Sequence, residues 1–392
     1  MMDSSIIGII HNDMADRQHK VWAEIDLEAL RHNYRKTEEI LKSRGSSAKV
    51  MPIVKADAYG HGAVKCMEVF IDEGARLFGV SSVTEGIELR HALKALDISE
   101  HIDILVLGYS VEDDVDLIHK YDFIQTVFSL EYAEKLSSAC ERKLPRGESI
   151  RVHVKADTGM NRLGFRYDDA SSIIKATELK NLVFEGLFTH YACADELESE
   201  LTDVQSARFE SLIETLAANG VDFATKHICN SAGIIREGEK LYDAVRAGII
   251  LYGVPPSYEF DKNMFKPVMT LKTRIAHIHE INPGETVSYG ATFTADRKMK
   301  IATIPVGYAD GFIRAYSGVS VHVNEADCKV VGRICMDQCM IDVTGIDVKQ
   351  GDEVVLLGGA DDLEEYAKLA DSIPYEVLCL VGKRVPRVYI GQ

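Results

Sequence analysis

Long apolar runs are missing from this chain of 392 residues. No stretch approaches the roughly 20 apolar residues that a transmembrane helix needs, so the sequence predicts no membrane span. Basic residues are also scarce, because 44 Lys and Arg stand against 61 Asp and Glu and leave a formal net charge of −17. This balance argues against nucleic acid or an anionic membrane as the main partner. Residues 1–20 lack the basic start of a signal peptide, so we interpret them as an N-terminal extension and expect a cytoplasmic protein.

An organised cysteine pattern is missing as well. The eight cysteines are scattered and, in a chain this long, they do not indicate a disulfide scaffold. Cys335 and Cys339 lie close together, but no second pair or nearby histidine completes a zinc site. We therefore expect reduced thiols and no metal. The chain also lacks a G-x-x-x-x-G-K-[ST] loop, which argues against a bound nucleotide.

What the first two thirds of the chain do contain is a rhythm of eight apolar, β-rich runs with amphipathic segments between them. Most of these runs are continuously apolar, which is typical of strands buried on both faces of a parallel sheet. Eight such units predict a (β/α)8 TIM-type barrel, and no G-x-G-x-x-G follows the first strand to favour a doubly wound sheet. The runs are 50–54, 77–83, 102–107, 124–128, 150–154, 182–188, 227–229 and 244–250.

The rhythm changes after about residue 255, where Pro255-Pro256 opens a polar linker. Six strand-like runs with turn signals follow, and a single helical segment at 362–371 interrupts them, so we expect a separate domain made mostly of β-strands. The predicted organisation is an extension at 1–20, a barrel domain that binds the cofactor at 21–260, and a C-terminal β domain at 261–392. A further strand at 21–25 is compatible with either domain.

Lys55 is the most informative residue, because it ends the first barrel run and opens into a glycine-rich turn. A lysine carried into a cleft by a buried strand is placed in a low dielectric, which favours a neutral, nucleophilic amine. Tyr59, Gly60 and Gly62 add a hydroxyl and an open backbone that suit a phosphate. Taken alone, the residue types of the segment favour an ordinary surface lysine, and the rest of the chain has to change that interpretation.

Polar residues follow several other strands at the end of a barrel where function resides. They include Lys155, Arg162, His190, Ser231 and Arg246. An amine able to form a Schiff base, together with a phosphate site made from hydroxyls and backbone N–H groups near Gly248 and Ile249, is what pyridoxal 5'-phosphate requires.

These motifs resemble the alanine racemase family from about Val21 to the C-terminus. The resemblance implies a pyridoxal-phosphate enzyme that interconverts L-alanine and D-alanine through an external aldimine and supplies D-alanine for peptidoglycan, the cell wall polymer. The stretches that carry it are 54–62 (VKADAYGHG), 157–164 (DTGMNRLG) and 335–338 (CMDQ).

The resemblance also implies roles for individual residues. Lys55 carries the cofactor and acts as one catalytic base, and Tyr289 of the partner subunit in a homodimer acts as the other. Arg162 and Met336 receive the substrate carboxylate, and Lys155 is a site of carbamylation. The residues implied to contact the cofactor are Lys55, Tyr59, Arg162, His190, Ser231, Arg246, Gly248, Ile249 and Tyr375. Those implied to line the substrate access corridor are Asp195, Tyr308, Arg314, Arg333, Asp337 and Ile373.

Two alternatives stay open at this point: a racemase for serine or a broader set of amino acids, and a non-catalytic protein that binds pyridoxal phosphate. A bare carrier has no need for Tyr289 and Met336, so their presence favours the enzyme. Asn161 and Ala247 depart from the glycine and proline that many relatives carry, and neither position has a chemical role.

Overall fold

A computed structural model describes residues 19–391, so nearly all of the predicted extension at 1–20 lies outside the described residues. The chain divides into two compact units. One comprises Asp26–Val268 with the residues from Ile390 onward, and the other comprises Met269–Tyr389 with the residues up to Ile25. The domain limits drawn from the sequence stay predictions. No helix in the described part of the chain is long and apolar enough to cross a membrane.

The unit that begins at Asp26 contains the predicted barrel. Six parallel strands form a continuous sheet, and a parallel pair closes the ring on either side. A bridge from Ile53 to Gly79 joins the pair to the sheet at one seam. At the other seam, the Arg246 N–H donates to the Cys229 carbonyl at 2.9 Å. In chain order the strands are β1 (Val21–Asp26, in the second unit), β2 (Lys49–Pro52), β3 (Leu77–Val80), β4 (Asp103–Val106), β5 (Phe123–Val127), β6 (Ile150–Asp157), the short β7 (Phe165–Arg166), β8 (Leu182–Phe188), β9 (Thr225–His227) and β10 (Ala244–Ala247).

Each of the eight predicted barrel runs overlaps one of these strands, which confirms the fold class. Helices alternate with the strands, and side-chain caps start several of them, as when the Asp26 carboxylate accepts from the Ala29 N–H at 3.0 Å. The helices of this unit are α1 (Leu27–Ser43), α2 (Lys55–Tyr59), α3 (Ala63–Asp72), α4 (Val83–Ala95), α5 (Val115–Lys120), α6 (Leu130–Lys143), α7 (Ala170–Thr177), α8 (Leu201–Ala218) and α9 (Ser231–Ile235).

The second unit is built on a nine-stranded sheet in the order β12-β15-β18-β17-β16-β19-β11-β1-β20. Strand β1, which the sequence left open between the two domains, pairs antiparallel with β11 in this sheet. The short strands β13 and β14 form a separate antiparallel pair. The remaining strands are β11 (Met269–Arg274), β12 (His277–Ile281), β13 (Thr286–Val287), β14 (Phe293–Thr294), β15 (Met299–Ile304), β16 (Ser320–Val323), β17 (Ala326–Val331), β18 (Cys339–Asp342), β19 (Glu353–Leu357) and β20 (Arg387–Ile390).

Two α-helices occur in this unit, α10 (Ala360–Leu369) and α11 (Pro374–Leu380), so the prediction of a single helix was wrong. Asp371 has a φ of 51°, which ends the first helix, and Pro374 begins the second at a position where its missing N–H costs nothing. The mostly-β character of the unit is confirmed.

Candidate active site

The predicted site residues divide between the two units. The barrel unit contains Lys55, Tyr59, Lys155, Arg162, His190, Asp195, Ser231, Arg246, Gly248 and Ile249. The second unit contains Tyr289, Tyr308, Arg314, Arg333, Met336, Asp337, Ile373 and Tyr375.

Lys55 opens a turn of unusual handedness at the C-terminal end of β2. The four residues after it, Ala56 to Tyr59, all have φ between 52° and 55°, which is the left-handed region. Such a conformation costs an L-residue roughly 1–2 kcal/mol, and glycine usually occupies it. Lys55 itself is exposed in this chain, which contradicts the low-dielectric surroundings predicted for it, although Ile53 and Val54 just before it are buried.

Hydrogen bonds from three side chains hold this turn. The Glu85 carboxylate accepts from the Ala56 N–H at 2.9 Å, and the Asp57 carboxylate accepts from the Ala63 N–H at 2.7 Å. The buried His61 ring places Nδ1 at 2.9 Å from the Ala58 carbonyl, so Nδ1 carries the proton and donates. These bonds offset part of the cost of the left-handed backbone, and they fix the segment on either side of Lys55.

A small polar space, here called the cradle, lies where this turn meets the end of β10. The Gly248 N–H donates to the Ser231 hydroxyl at 3.0 Å. A Cβ on Gly248 would lie only 2.7 Å from the Tyr59 hydroxyl oxygen and 3.6 Å from Ser231 Oγ. Ile249 begins a short 3₁₀ helix, so its N–H has no partner within that helix. The hydroxyls of Tyr59 and Ser231 and the Gly248 N–H therefore border one small space that a side chain at position 248 would fill.

Arg246 is 3% exposed and stands at the centre of a fixed hydrogen-bond network. Its Nη2 donates to the carbonyls of Thr189 at 2.7 Å and Ile228 at 2.6 Å, and lies 3.2 Å from His190 Nδ1. Its Nη1 lies 2.6 Å from His227 Nδ1. Burial lowers the pKa of Arg246 to about 10, so the guanidinium stays protonated at neutral pH. Among the described residues, Nε and one Nη1 N–H of Arg246 have no acceptor, so two of its five donors remain available.

His190 is surrounded by positive charge. Burial, followed by the nearby cations Arg246, Lys155, Arg162 and Lys55, holds the pKa of this imidazole well below its usual range. The ring is therefore neutral, and its Nδ1 accepts from Arg246. The same influence shows that Lys55, on its exposed turn, lies within electrostatic reach of the Arg246 network.

Two buried histidines extend that network into the barrel, and the sequence assigned no function to either. His227 Nε2 lies 3.2 Å from His153 Nδ1, while His227 Nδ1 faces Arg246. Since a protonated guanidinium can only donate, His227 accepts at Nδ1 and donates from Nε2 to His153. Burial lowers the pKa of His153 to about 3, and the pair is neutral. Position 186 has no side chain, and a Cβ there would meet the His153 ring at 2.6 Å.

Lys155 is the buried amine of the site. Its side chain is 6% exposed, donates to the Ala156 carbonyl at 3.1 Å and lies over the Phe188 ring. Burial, with the charges of Arg246 and Arg162, lowers the pKa of Lys155 to about 7. A large part of this amine is therefore neutral and nucleophilic at physiological pH.

Arg162 lies on an exposed loop after β6. The Asp157 carboxylate organises this loop by accepting from the Gly159 and Asn161 N–H groups at 2.9 and 3.0 Å. Asn161 has a φ of 54°, a conformation that asparagine tolerates better than most residues. This explains how the chain accommodates asparagine in this left-handed position.

In the second unit, Tyr289 lies at the start of a one-turn 3₁₀ helix, Tyr289–Ala291, and is 72% exposed. Met336, 53% exposed, lies in a loop whose carbonyls accept from a second 3₁₀ turn: Cys335 from the Tyr308 N–H and Met336 from the Ala309 N–H, both at 3.1 Å. A Cβ on Gly307 would overlap both carbonyls. The backbone at Met336 is therefore rigidly held while its side chain is presented to the surroundings.

The other predicted corridor residues differ in their local surroundings. Arg314 and Ile373 are exposed, Asp337 pairs with Arg384 at 2.7 Å, and the Asp195 carbonyl accepts from the Ser257 hydroxyl at 2.6 Å. Within the described residues, no group of three or more His, Cys, Asp or Glu side chains could hold a metal ion.

Comparison with known proteins places this chain in a family. Family models described as "Alanine racemase, N-terminal domain" and "Alanine racemase, C-terminal domain" match residues 25–256 and 268–389. Alanine racemase 1 of Clostridium acetobutylicum is 44% identical over 380 residues, covering 94% of this chain and 95% of that protein. The alanine racemase of Clostridium novyi is 43% identical over 381 residues, with 94% and 95% covered.

Solved structures agree with the sequence matches. The alanine racemase of Clostridium difficile 630 superposes with a TM-score of 0.88 at 39% identity, covering 96% of this chain and 97% of that one. The alanine racemase of Bacillus anthracis with bound L-Ala-P superposes with a TM-score of 0.86 at 32% identity, covering 96% and 97%. The chain therefore belongs to the alanine racemase family.

Proposed function

We propose that this protein interconverts L-alanine and D-alanine with pyridoxal 5'-phosphate as cofactor, and so supplies D-alanine for peptidoglycan. The observation that carries the proposal is the cradle of Tyr59, Ser231, Gly248 and Ile249 beside the turn of Lys55. Hydroxyls and backbone amides without a cationic side chain suit a phosphate group. The nearby amine of Lys55 suits the aldehyde of the same cofactor.

Arg246 supports this assignment through the donors that it keeps available. Its protonated guanidinium would donate a hydrogen bond to the pyridine nitrogen but would not readily transfer its proton. His190, neutral and bonded to Arg246, would pack beside the ring. Arg162 would face the phenolic oxygen of the cofactor, and Tyr375 would add a contact to the cofactor's phosphate. When bound, pyridoxal phosphate withdraws electrons from the substrate's Cα–H bond and so makes the α-proton removable.

Racemisation by two bases needs one group on each face of the α-carbon, because one residue accepts the α-proton from one face while the other donates its own proton to the opposite face. We assign these bases to Lys55 and to Tyr289 of the partner subunit in a homodimer. The exposure of Tyr289 and Met336 supports a role for both in contacts outside their own chain. Met336, through its held backbone, and Arg162 would receive the substrate carboxylate.

Lys155 would act by changing the charge around Arg162. A neutral buried amine can add CO2 through a new N–C bond and release one proton to solvent, and the resulting carbamate is an anion that can hold a guanidinium in place. The lowered pKa of Lys155 supports this modification. The corridor residues Asp195, Tyr308, Arg314, Arg333, Asp337 and Ile373 would line the route of a small zwitterionic substrate.

The decisive experiment measures cofactor and activity on the same purified protein. We expect bound pyridoxal phosphate, detected by its absorbance, together with D-alanine formed from L-alanine and slower turnover of serine. Tyr289→Phe should lower racemisation by at least roughly 100-fold, the scale of a lost proton-transfer group, with the cofactor still bound. Tyr121→Phe removes a tyrosine hydroxyl ahead of β5 and should leave activity unchanged.

Different failures would point to different alternatives. Turnover of serine faster than alanine would favour a broader racemase. Bound cofactor without turnover of any amino acid would favour a carrier protein. Full activity in Tyr289→Phe would remove the second base, and a monomer of full activity would contradict the shared site.

A further inference from the structure

The turn that presents Tyr289 has a backbone that residues with a side chain rarely adopt. Ser288 has φ 67° and ψ −179°, a region of backbone space that is essentially reserved for glycine. Gly290 follows with φ 74° and Ala291 with φ 44°. Three of the four residues from 288 to 291 therefore have positive φ.

Contacts with the segment after β17 hold this turn. The Ser288 hydroxyl donates to the Arg333 carbonyl at 2.6 Å. The Arg333 guanidinium lies against Gly290, where an added Cβ would be 2.8 Å from Nη1. Gly332, with φ 71°, allows close approach, because a Cβ there would meet the Val287 carbonyl at 2.7 Å and Ser288 Cβ at 2.9 Å.

We propose that Ser288 is a positioning residue for Tyr289, and that its bond to the Arg333 carbonyl locks the turn in the strained form that aims the phenol. The inference rests on the proposed function, in which Tyr289 is a base. Strained residues persist only where their surroundings over-determine them. Here the strained residue, Ser288, also makes the side-chain bond that holds the strained backbone in place. It directly precedes Tyr289, the residue whose orientation the turn sets.

The backbone strain predicts different activities for the variants Ser288→Ala and Ser288→Gly. Loss of the hydroxyl alone would affect both variants equally. In Ser288→Ala the bond is lost while the Cβ remains, so the turn relaxes away from its present φ. In Ser288→Gly the bond is also lost, but glycine adopts this φ without cost, so part of the population keeps the active geometry. Activity should therefore fall from serine to glycine to alanine.

The experiment compares the holoenzyme with Ser288→Ala, Ser288→Gly and the control Ser137→Ala. Ser137 likewise donates to a distant carbonyl, that of Lys180, at 2.7 Å, but on an outer helix of the barrel unit. We expect kcat to fall by roughly 10- to 100-fold in Ser288→Ala, because small misplacements of a reacting group can cost about 100-fold. KM for alanine and the absorbance of the bound cofactor should stay close to wild type.

Isotope effects separate aiming from general damage. Tyr289 serves one face of the α-carbon, so the deuterium isotope effect on kcat/KM from α-deuterated alanine should rise for one enantiomer and not for the other. An unchanged kcat in Ser288→Ala, glycine no more active than alanine, or equal isotope effects for both enantiomers would each overturn the inference. Full activity in Tyr289→Phe would instead refute the proposed function beneath it.

Discussion

Replacing Gly248 with alanine is the sharpest test of the cradle. The new methyl group would lie 2.7 Å from the Tyr59 hydroxyl oxygen, which is closer than real Cβ contacts come. Tyr59 cannot easily retreat, because it is buried and its ring packs against Tyr252 with centroids 5.1 Å apart. The substitution therefore both fills the cradle and displaces the Tyr59 hydroxyl from it.

The size of the effect follows from the hydrogen bonds at stake. A bond from a hydroxyl to a charged group contributes about 1.5–3 kcal/mol. Each 1.4 kcal/mol is a factor of ten in affinity. Loss of the Tyr59 bond alone should thus weaken pyridoxal phosphate binding by roughly 10- to 150-fold. Tyr59→Phe isolates this loss, and Gly248→Ala should be at least as severe, since its methyl also occupies the site.

The assay is a titration of cofactor-free protein with pyridoxal phosphate, followed by absorbance, beside an unfolding curve of each variant. Gly359→Ala is the matched control, because its added methyl meets no atom within 4 Å and its φ of −178° is ordinary extended backbone. Wild-type cofactor affinity in Gly248→Ala, with the protein folded, would refute the cradle as the phosphate site.

Three further predictions concern backbone strain, charge and packing. Ala56→Gly relieves a left-handed alanine at φ 52° that costs about 1–2 kcal/mol, so its unfolding midpoint in urea should equal or exceed that of wild type. The control Ala217→Gly, in an ordinary helix, should lose about 1 kcal/mol of unfolding free energy. Equal losses in both variants would contradict the strain. In buffer without CO2, the free energy of unfolding of wild type should rise relative to that of Lys155→Met between pH 7 and about 10. The reason is that Lys155 has a pKa of about 7 in the folded protein, so the folded protein binds fewer protons in this range than the unfolded chain does. Parallel pH curves for the two proteins would refute this. Gly186→Ala should lower the melting temperature by an amount equivalent to about 1–3 kcal/mol, because its methyl collides with the His153 ring, and an unchanged value would show that the ring can move.

The barrel could be predicted because its strands are buried on both faces. A strand such as β4, with three of its four residues buried, appears in the sequence as an unbroken apolar run. The strand at 21–26 gave no such indication of its partner, because pairing with β11 joins residues almost 250 positions apart. The second helix of the β unit was not predicted. Asp371 and Pro374 interrupt the helical pattern, and the short segment after Pro374 was not interpreted as a helix of its own.

The sequence indicated candidate site residues only where the residue type is itself chemically distinctive. Lys55 and Arg246 were proposed because an amine or a guanidinium at a strand end is chemically distinctive. Glu85, His153 and His227 act through the groups they hold, and they were missed. Glu85 bonds to Ala56 across 29 positions, and His153 meets His227 across 74, so neither contact leaves a spacing that sequence alone reveals.

The left-handed backbone of two turns could not be predicted from the sequence at all. Each of these turns presents one of the two proposed bases. Lys55 opens a run of left-handed residues, and Tyr289 follows a serine in glycine's region, although neither turn has glycine at its first strained position. Strain of about 1–3 kcal/mol at such a residue lowers stability, so it persists where a more relaxed turn would aim the side chain elsewhere. Ser288→Gly should then keep the unfolding midpoint at or above that of wild type while lowering kcat, because glycine relieves the strain but cannot make the bond to the Arg333 carbonyl. Unchanged kcat in this folded variant would show that the serine is strained for a reason other than aiming the base.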